Sequence, residues 1–242
     1  MKAMLLAAGR GERMGALSAH CPKPLLKVAG KPLIEHQIER LVAAGFSEIV
    51  INVCYLADQI IDYLADGSRW GAVIQYSKES ECLETGGGIY QALPLLSHGG
   101  EGSETDDEPF LVVNGDVWTD FPLANLASGL RESDQQAHLV LVPNPSHNMN
   151  GDFCFVAQDD FQKNVQVRAV TVKAGATGRQ SYTFSGMSVL RPGLFAGYTH
   201  GKFALAPLLT AAMAQQKVVG EIYAGAWVDV GTPERLDFVN KH

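Results

Sequence analysis

Two stretches near the N-terminus hold residues whose types and spacing can do chemistry: Leu5-Leu6-Ala7-Ala8-Gly9-Arg10-Gly11-Glu12-Arg13-Met14 and Pro22-Lys23-Pro24-Leu25. An apolar run from Lys2 to Ala7 leads straight into a loop of small and basic residues. In an α/β sheet such a junction, at the carboxyl end of a strand, is where phosphorylated ligands are held. Ala7, Ala8, Gly9 and Gly11 leave the main chain bare, so its N–H groups can approach phosphate oxygens. Arg13 and Lys23 supply positive charge, and the loop, Glu12 included, reads as a nucleotide site. A plain turn is the competing reading of two glycines in a loop. Arg13 and the Pro-Lys-Pro-Leu box weigh against it.

Two better-known phosphate loops do not fit. The Rossmann fingerprint needs a glycine three residues after Gly11, where Met14 stands, which removes a nicotinamide dehydrogenase from consideration. A P-loop needs Gly-x-x-x-x-Gly-Lys-Ser/Thr, but Gly30-Lys31 is followed by Pro32 and preceded by Leu25 at the first glycine position.

Carboxylates complete the chemical inventory. Asp116 follows the apolar run Phe110–Asn114. At the carboxyl end of a strand it can hold a magnesium ion bridging to phosphates, and it can equally serve as a turn or N-cap residue. Asp229 sits in Ala226-Trp227-Val228-Asp229-Val230, a strand-like run in which an unpaired charge would be costly. Two carboxylates brought by distant strands to one edge strengthen the case for a hard-cation site. The chain shows no Ser-His-Asp or Cys-His pattern for covalent catalysis. His147 reads as a surface histidine within a loop, 144–150, able to act as a lid.

Further blocks lie along the chain: Leu83-Glu84-Thr85-Gly86-Gly87-Gly88, Val113-Asn114-Gly115-Asp116, Phe184-Ser185-Gly186 and Trp227-Val228-Asp229-Val230-Gly231-Thr232. With the two opening stretches, they make the chain resemble the sugar-phosphate nucleotidylyltransferases. Within that family it most resembles the N-acetylmuramate 1-phosphate uridylyltransferases of bacterial cell-wall recycling. The blocks span nearly the whole chain in the family's order. One departure is Ala16, two residues after Met14, where the family often carries proline.

The resemblance implies an α/β fold: a single-domain, Rossmann-like, three-layer α/β/α nucleotidyltransferase domain of GT-A type with a mixed, mostly parallel sheet. Its nucleotide-binding half would cover about 1–120 and its sugar-phosphate half about 121–242. It implies that Glu79, Thr85 and Gly86 hold the base and sugar of the nucleotide, and that Asn114, Gly151, Asp152, Ser185 and Gly186 contact the sugar phosphate. Arg13, Lys23, Asp116 and Asp229 would form the catalytic set, with magnesium as cofactor and UTP and a sugar 1-phosphate as substrates. Relatives use dTTP, CTP or GTP, or glucose, mannose or heptose phosphates, so donor and acceptor stay open. A non-catalytic sugar-nucleotide-binding subunit of the same fold would be expected to lack one of the four catalytic residues, and all four are present.

The elements that must position these residues follow from periodicity. Leu33, Ile34, Ile38, Leu41 and Val42 recur at helical spacing, with Gly45 as the stop. Glu48 to Val53 and Val73 to Tyr76 read as strands, with a helix from Ala57 to Leu64 between them. Strand–helix–strand–helix–strand is the doubly wound pattern. Gly86-Gly87-Gly88 reads as a loop before a helix beginning near Ile89, either letting a flat base lie on the main chain or acting as a hinge. Strands are expected over 110–114, 153–156 and 182–190, and helices over 205–215 and 233–240. Segment 98–108 is acidic and glycine-rich and reads as an exposed loop, and 160–181 as short strands with a basic loop containing Lys173 and Arg179.

At 242 residues, 46% apolar and 19% charged, the chain suits one globular domain. A net charge of −7 argues against a nucleic-acid surface, so an anionic ligand must be held by local charge. No long apolar run or cleavage pattern precedes the first strand, and the expected location is cytoplasmic, with no membrane partner. Cys21, Cys54, Cys82 and Cys154 lack Cys-x-x-Cys spacing and read as free thiols, with Cys21 and Cys82 adjoining the site loops.

Overall fold

The computed structural model describes residues 1–97, 107–128, 130, 134–155, 165–169 and 180–241. The chain first builds β1 (Ala3–Leu6), β2 (Lys27–Val28), β3 (Lys31–Pro32), α1 (Leu33–Ala43), β4 (Glu48–Val53), α2 (Ala57–Leu64), β5 (Val73–Lys78) and α3 (Glu84–Leu96). It continues through β6 (Phe110–Asn114), β7 (Val117–Thr119), β8 (Ala137–Val142), β9 (Phe153–Phe155) and β10 (Val165–Ala169). It closes with β11 (Ser181–Leu190), α4 (Ala206–Ala214), β12 (Val218–Ile222), β13 (Trp227–Asp229) and α5 (Pro233–Lys241).

Among the described residues, nine strands form one mixed sheet in the order β5-β4-β1-β6-β11-β8-β12-β10-β9. The strands from β5 to β6 run parallel, β1 pairing Ala3 with Ile49 on one side and with Leu111 on the other. β11 enters antiparallel between β6 and β8, and β8 and β12 are parallel again. β8 and β12 are apolar runs that the periodicity reading passes over. β7 and β13 make a separate antiparallel ribbon.

The layering follows from strand alternation. β1 is buried on both faces, so successive side chains enter different cores. Ala3 and Leu5 join Ile34, Ile38 and Leu41 of α1 and Ile60 and Leu64 of α2. Met4 joins Ile89 and Ala92 of α3 and Leu208 and Leu209 of α4 on the opposite side. The result is the expected three-layer α/β/α arrangement. A third cluster packs Met14, Leu26, Val28 and Leu33 against Val230, Leu236 and Val239, tying α5 to the opening loop. α1 stops where its spacing says it should: Gly45 takes φ 91°, and Phe46 N–H donates to Leu41 O at 2.9 Å.

Two expectations are corrected. The triple glycine is not a loop before a helix, because α3 begins at Glu84 and takes Gly86, Gly87 and Gly88 into its first turns. All three are buried against protein. A Cβ would lie 2.6 Å from the Phe203 ring at Gly86, 2.2 Å from Gly201 O at Gly87 and 2.6 Å from Glu79 Oε1 at Gly88. Segment 201–204 and the Glu79 carboxylate take the space that was expected to receive a base. The cysteines are not all free: Cys54, just past β4, and Cys82, just before α3, form a disulfide with Cα atoms 5.7 Å apart. Folding brings the end of β4 against the start of α3, which a 28-residue separation hides. Cys21 and Cys154 are free.

Most of the acidic 98–108 segment, and most of 160–181 with Lys173 and Arg179, lie outside the described residues, β10 excepted. Among the described residues no helix is long and apolar enough to cross a membrane. Gly87→Ala is expected to destabilise the fold by about 1–3 kcal/mol, since the atom it meets is a backbone carbonyl. Thermal unfolding reads this as a Tm drop of about 2–4 °C per kcal/mol. An unchanged Tm would mean that segment 201–204 yields freely.

Candidate functional site

The loop after β1 is shaped by backbone bonds and one buried anchor. Leu6 O accepts from Gly115 N–H at 3.0 Å, and Ala7 N–H donates to Asn52 Oδ1 at 2.9 Å. Gly11 takes φ 66°, and its carbonyl accepts from Met14 N–H at 2.8 Å and from the Ser18 hydroxyl at 2.9 Å. This turn sinks Met14 into the cluster with Val230 and Leu236 while Arg13 lines the cleft. Met14 therefore stands where a dinucleotide loop would have glycine because it is an anchor. In the Pro-Lys-Pro-Leu box, Leu25 N–H closes on Pro22 O at 2.8 Å. Lys23, its side chain 12% exposed, directs Nζ to the Asp116 carboxylate.

The cleft has a volume of about 930 Å³. Of the residues singled out from the sequence, Ala7, Ala8, Gly9, Gly11, Glu12, Arg13, Lys23, Glu79, Thr85, Asn114 and Asp116 line it. Arg10, Asn52, Glu81, Lys202 and Gly231 line it as well. Arg10 was legible from its place in the loop, whereas Asn52 and Lys202 carry no local signal and arrive through folding. Both Glu79 oxygens face protein groups, accepting from Asn52 Nδ2 at 2.7 Å and from Leu83 N–H at 2.9 Å.

The remaining candidates stand apart from the cleft lining. Gly86 packs under Phe203. Gly151, at φ 63°, turns the chain beside Asn144 and Tyr182. Asp152 accepts from Phe184 N–H at 2.8 Å and from Asn148 Nδ2 at 3.1 Å. Ser185 is fully buried, its Oγ accepting from Met187 N–H at 3.2 Å. Gly186, at φ 81°, occupies a bulge in β11, and a Cβ there would lie 2.7 Å from Asn114 Nδ2. Gly186 thus backs Asn114, which does line the cleft.

The two carboxylates arrive on neighbouring backbone. Asp116 sits in the turn between β6 and β7, and Gln37 Nε2 from α1 donates to Val117 O just beyond it. β13 pairs Asp229 with Val117, and Val230 N–H donates to Asp116 O at 2.7 Å. The end of the ribbon is clasped by Tyr223, whose hydroxyl donates to Asp120 Oδ1. Burial, then that hydrogen bond, pushes the Tyr223 hydroxyl up to about 12, and the same bond holds the Asp120 carboxyl low. Asp229 Oδ1 accepts from Arg235 Nη1 at 2.9 Å and lies 3.0 Å from His147 Nε2. His147 is exposed, as the sequence reading has it, and its ring also touches both Asp229 and Arg235. The sequence hid this because the partners lie 82 and 88 residues downstream.

Among the described residues no group of three or more His, Cys, Asp or Glu side chains gathers into a metal cage. No hydrogen bond engages Asp116 Oδ1 or Asp229 Oδ2 among those residues. Asp116 and Asp229, hard oxygen donors on adjacent backbone, are the residues that could hold a magnesium ion, although Asp116 lines the cleft and Asp229 is not among its lining residues. Burial pushes the thiol of Cys21, beside this box, above its ordinary range.

The chain is similar to known proteins along nearly its whole length. The pattern of the family described as "Nucleotidyl transferase" matches residues 2–242. The chain is 49% identical to the N-acetylmuramate alpha-1-phosphate uridylyltransferase of Neisseria meningitidis, over 98% of this chain and 95% of that protein. It is 33% identical to the protein of the same name from Caulobacter vibrioides, over 96% and 92%. A Bacillus anthracis protein, named provisionally a glucose-1-phosphate thymidylyltransferase and solved with sucrose, superposes with a TM-score of 0.81 at 16% identity. That superposition covers 100% of this chain and 94% of the other, and it shows the fold.

Gly231 lies beneath two guanidinium groups: a Cβ there would stand 2.6 Å from Arg235 Nη2 and 3.0 Å from Arg13 Nη2. Both are ends of flexible side chains, so Gly231→Ala should keep the fold while displacing Arg13. Calorimetry with inorganic pyrophosphate is expected to show about 10-fold weaker binding, near 1.4 kcal/mol. Unchanged affinity would take Arg13 away from the anion.

Proposed function

The chain belongs to the nucleotidyl transferase family, and from that premise we propose that it is a magnesium-dependent uridylyltransferase making a UDP-sugar from UTP and a sugar 1-phosphate. The acceptor we assign is N-acetylmuramate 1-phosphate, in the recycling of cell-wall sugars. The observation that carries the reading is the Lys23–Asp116 pair in the cleft, in a chain that shares 49% identity along nearly its whole length with a protein of that activity.

The bond that forms joins an oxygen of the sugar phosphate to the α-phosphorus of UTP, and the bond that breaks releases pyrophosphate. The nucleophile needs no dedicated base, because the second pKa of a phosphate monoester is about 6 and the group is largely dianionic at neutral pH. The chain's task is alignment and neutralisation of crowded negative charge. Bare backbone at Ala8, Gly9 and Gly11 approaches the phosphates, and Arg13 grips the departing β- and γ-phosphates through its planar fork. Lys23 stands between the donor and acceptor phosphates. Thr85 and the start of α3 bound the base side. Asn114, backed by Gly186, meets the sugar phosphate, with Ser185, Gly151 and Asp152 shaping that side. Asp116 and Asp229 would hold magnesium, which when bound neutralises phosphate charge.

A pyrophosphate-release screen crossing the four common nucleoside triphosphates with a panel of sugar 1-phosphates tests the assignment. UTP with N-acetylmuramate 1-phosphate should give the fastest turnover. EDTA should abolish it and added magnesium restore it. Turnover confined to another pair would replace both substrates. Lys23→Ala and Asp116→Ala should each lose about 100- to 1000-fold in kcat with the fold retained, the scale of one preorganised charge-stabilising group. Wild-type turnover in either variant would remove that residue from the mechanism.

A further inference from the structure

The cleft has two walls that share no sequence neighbourhood, the loop after β1 and the start of α3. A buried chain of three hydrogen bonds joins them. Ala7 N–H, the first amide past β1, donates to Asn52 Oδ1 at 2.9 Å. Asn52 Nδ2 donates to Glu79 Oε1 at 2.7 Å, and Leu83 N–H donates to Glu79 Oε2 at 2.9 Å. Asn52 is 3% exposed and Glu79 7%. The Asn52 amide lies at the end of β4, between Leu6 of β1 and Ser77 of β5 in register. It is thus placed to receive from one wall and give to the other.

The far end of this chain controls a strained residue. Glu84, which lines the cleft beside Thr85, holds φ 61°, a left-handed conformation that a non-glycine residue adopts only when its surroundings impose it. Leu83, just before it, is pinned at both backbone groups: its N–H by Glu79 and its C=O by Phe203 N–H at 3.1 Å. Gly88 gives the network its room, since a Cβ there would lie 2.6 Å from Glu79 Oε1 and 2.8 Å from Asn52 Nδ2. A buried, fully satisfied polar chain is rigid, and removing one member leaves donors and acceptors stranded.

We propose that Asn52 is a positioning residue for nucleotide binding, setting the spacing between the loop that takes the triphosphate and the α3 turn that faces the base. It acts through Ala7 and through Glu79, and need not touch the nucleotide. The inference rests on the nucleotide-binding reading of the cleft. Asn52→Ala strands the Ala7 amide and one Glu79 oxygen, so the buried side-chain link between the walls is broken while the Cys54–Cys82 disulfide still holds the start of α3 to the end of β4. UTP affinity should fall about 10-fold or more, appearing as a raised KM for UTP with kcat and the KM for sugar 1-phosphate little changed.

The deciding test reverses the middle link. In the double variant Asn52→Asp/Glu79→Gln, the new carboxylate accepts from Ala7 N–H and from the new amide, whose oxygen accepts from Leu83 N–H. All three bonds re-form with net charge unchanged. Each single substitution breaks at least one: Asn52→Asp sets two carboxylates face to face, and Glu79→Gln turns a donor toward a donor. Calorimetric UTP binding to wild type, Asn52→Ala, both singles and the double closes the cycle, with thermal unfolding run on each. Weak binding by the singles and recovery to within about 3-fold of wild type in the double would establish the role. A double variant no better than the sum of its singles would overturn it, as would Asn52→Ala binding UTP like wild type. If Asn52→Ala does not fold, the singles and the double decide the matter alone. Wild type that binds no nucleoside triphosphate would instead overturn the reading of the cleft.

Discussion

The Lys23–Asp116 ion pair is the contact on which the rest of the site depends. It joins the Pro-Lys-Pro-Leu box to the turn between β6 and β7, and so the N-terminal loop to the carboxyl edge of the sheet. The protein is acidic overall, so a polyanionic ligand is not drawn by its general field. Positive charge must be gathered locally, in a cleft that also contains Glu12, Glu79, Glu81 and Glu84. A lysine withdrawn from water is held best beside a counter-charge, and the carboxylate gains from the cation in turn. Pairing the two keeps both at the cleft and oriented.

Around that pair the molecule is closed by its two ends. α5 packs Leu236 and Val239 onto Met14, Leu26 and Leu33, and Asn240 on the same helix bonds Ala29 N–H and Lys27 O. β13, immediately before α5, carries Asp229 to the strand that follows Asp116. Packing and chemistry are thereby coupled: the anchor that holds Arg13 at the cleft is the one that seats the helix bearing Arg235. Arg235 in turn holds Asp229. A residue close to the C-terminus thus supports a carboxylate whose partner stands in the middle of the chain.

The glycines divide into two kinds by the same logic. Gly11 supplies a left-handed turn where a side chain would be strained. Gly86, Gly87 and Gly88 supply closeness, allowing α3 to lie against segment 201–204 and over the Asn52–Glu79 pair. Their cost in helix propensity, about 1 kcal/mol each against alanine, is offset by packing that no larger residue permits. The cleft is therefore bounded by a helix whose first turns are held from beneath.

Much of this was written locally. The strand–loop junction at Leu6–Arg13, the Pro-Lys-Pro-Leu box, the helical period of Leu33–Val42 ending at Gly45 and the strand before Asp116 each depend on near neighbours. The reading from sequence therefore located the strand–loop junction that lines the cleft, the parallel half of the sheet and its layering. What it missed depends on contacts across the sheet. Whether three glycines make a loop or a helix was decided by Phe203 and Gly201, more than a hundred residues away. The Cys54–Cys82 bond, the His147–Asp229 contact and the Asn52–Glu79 hydrogen bond rest on pairs that are distant in the chain and adjacent only once β4, β5 and the β7–β13 ribbon have assembled. Periodicity and motif spacing carry information about backbone conformation within a few residues. Which buried polar groups meet is set by register between strands, and only the folded sheet supplies it.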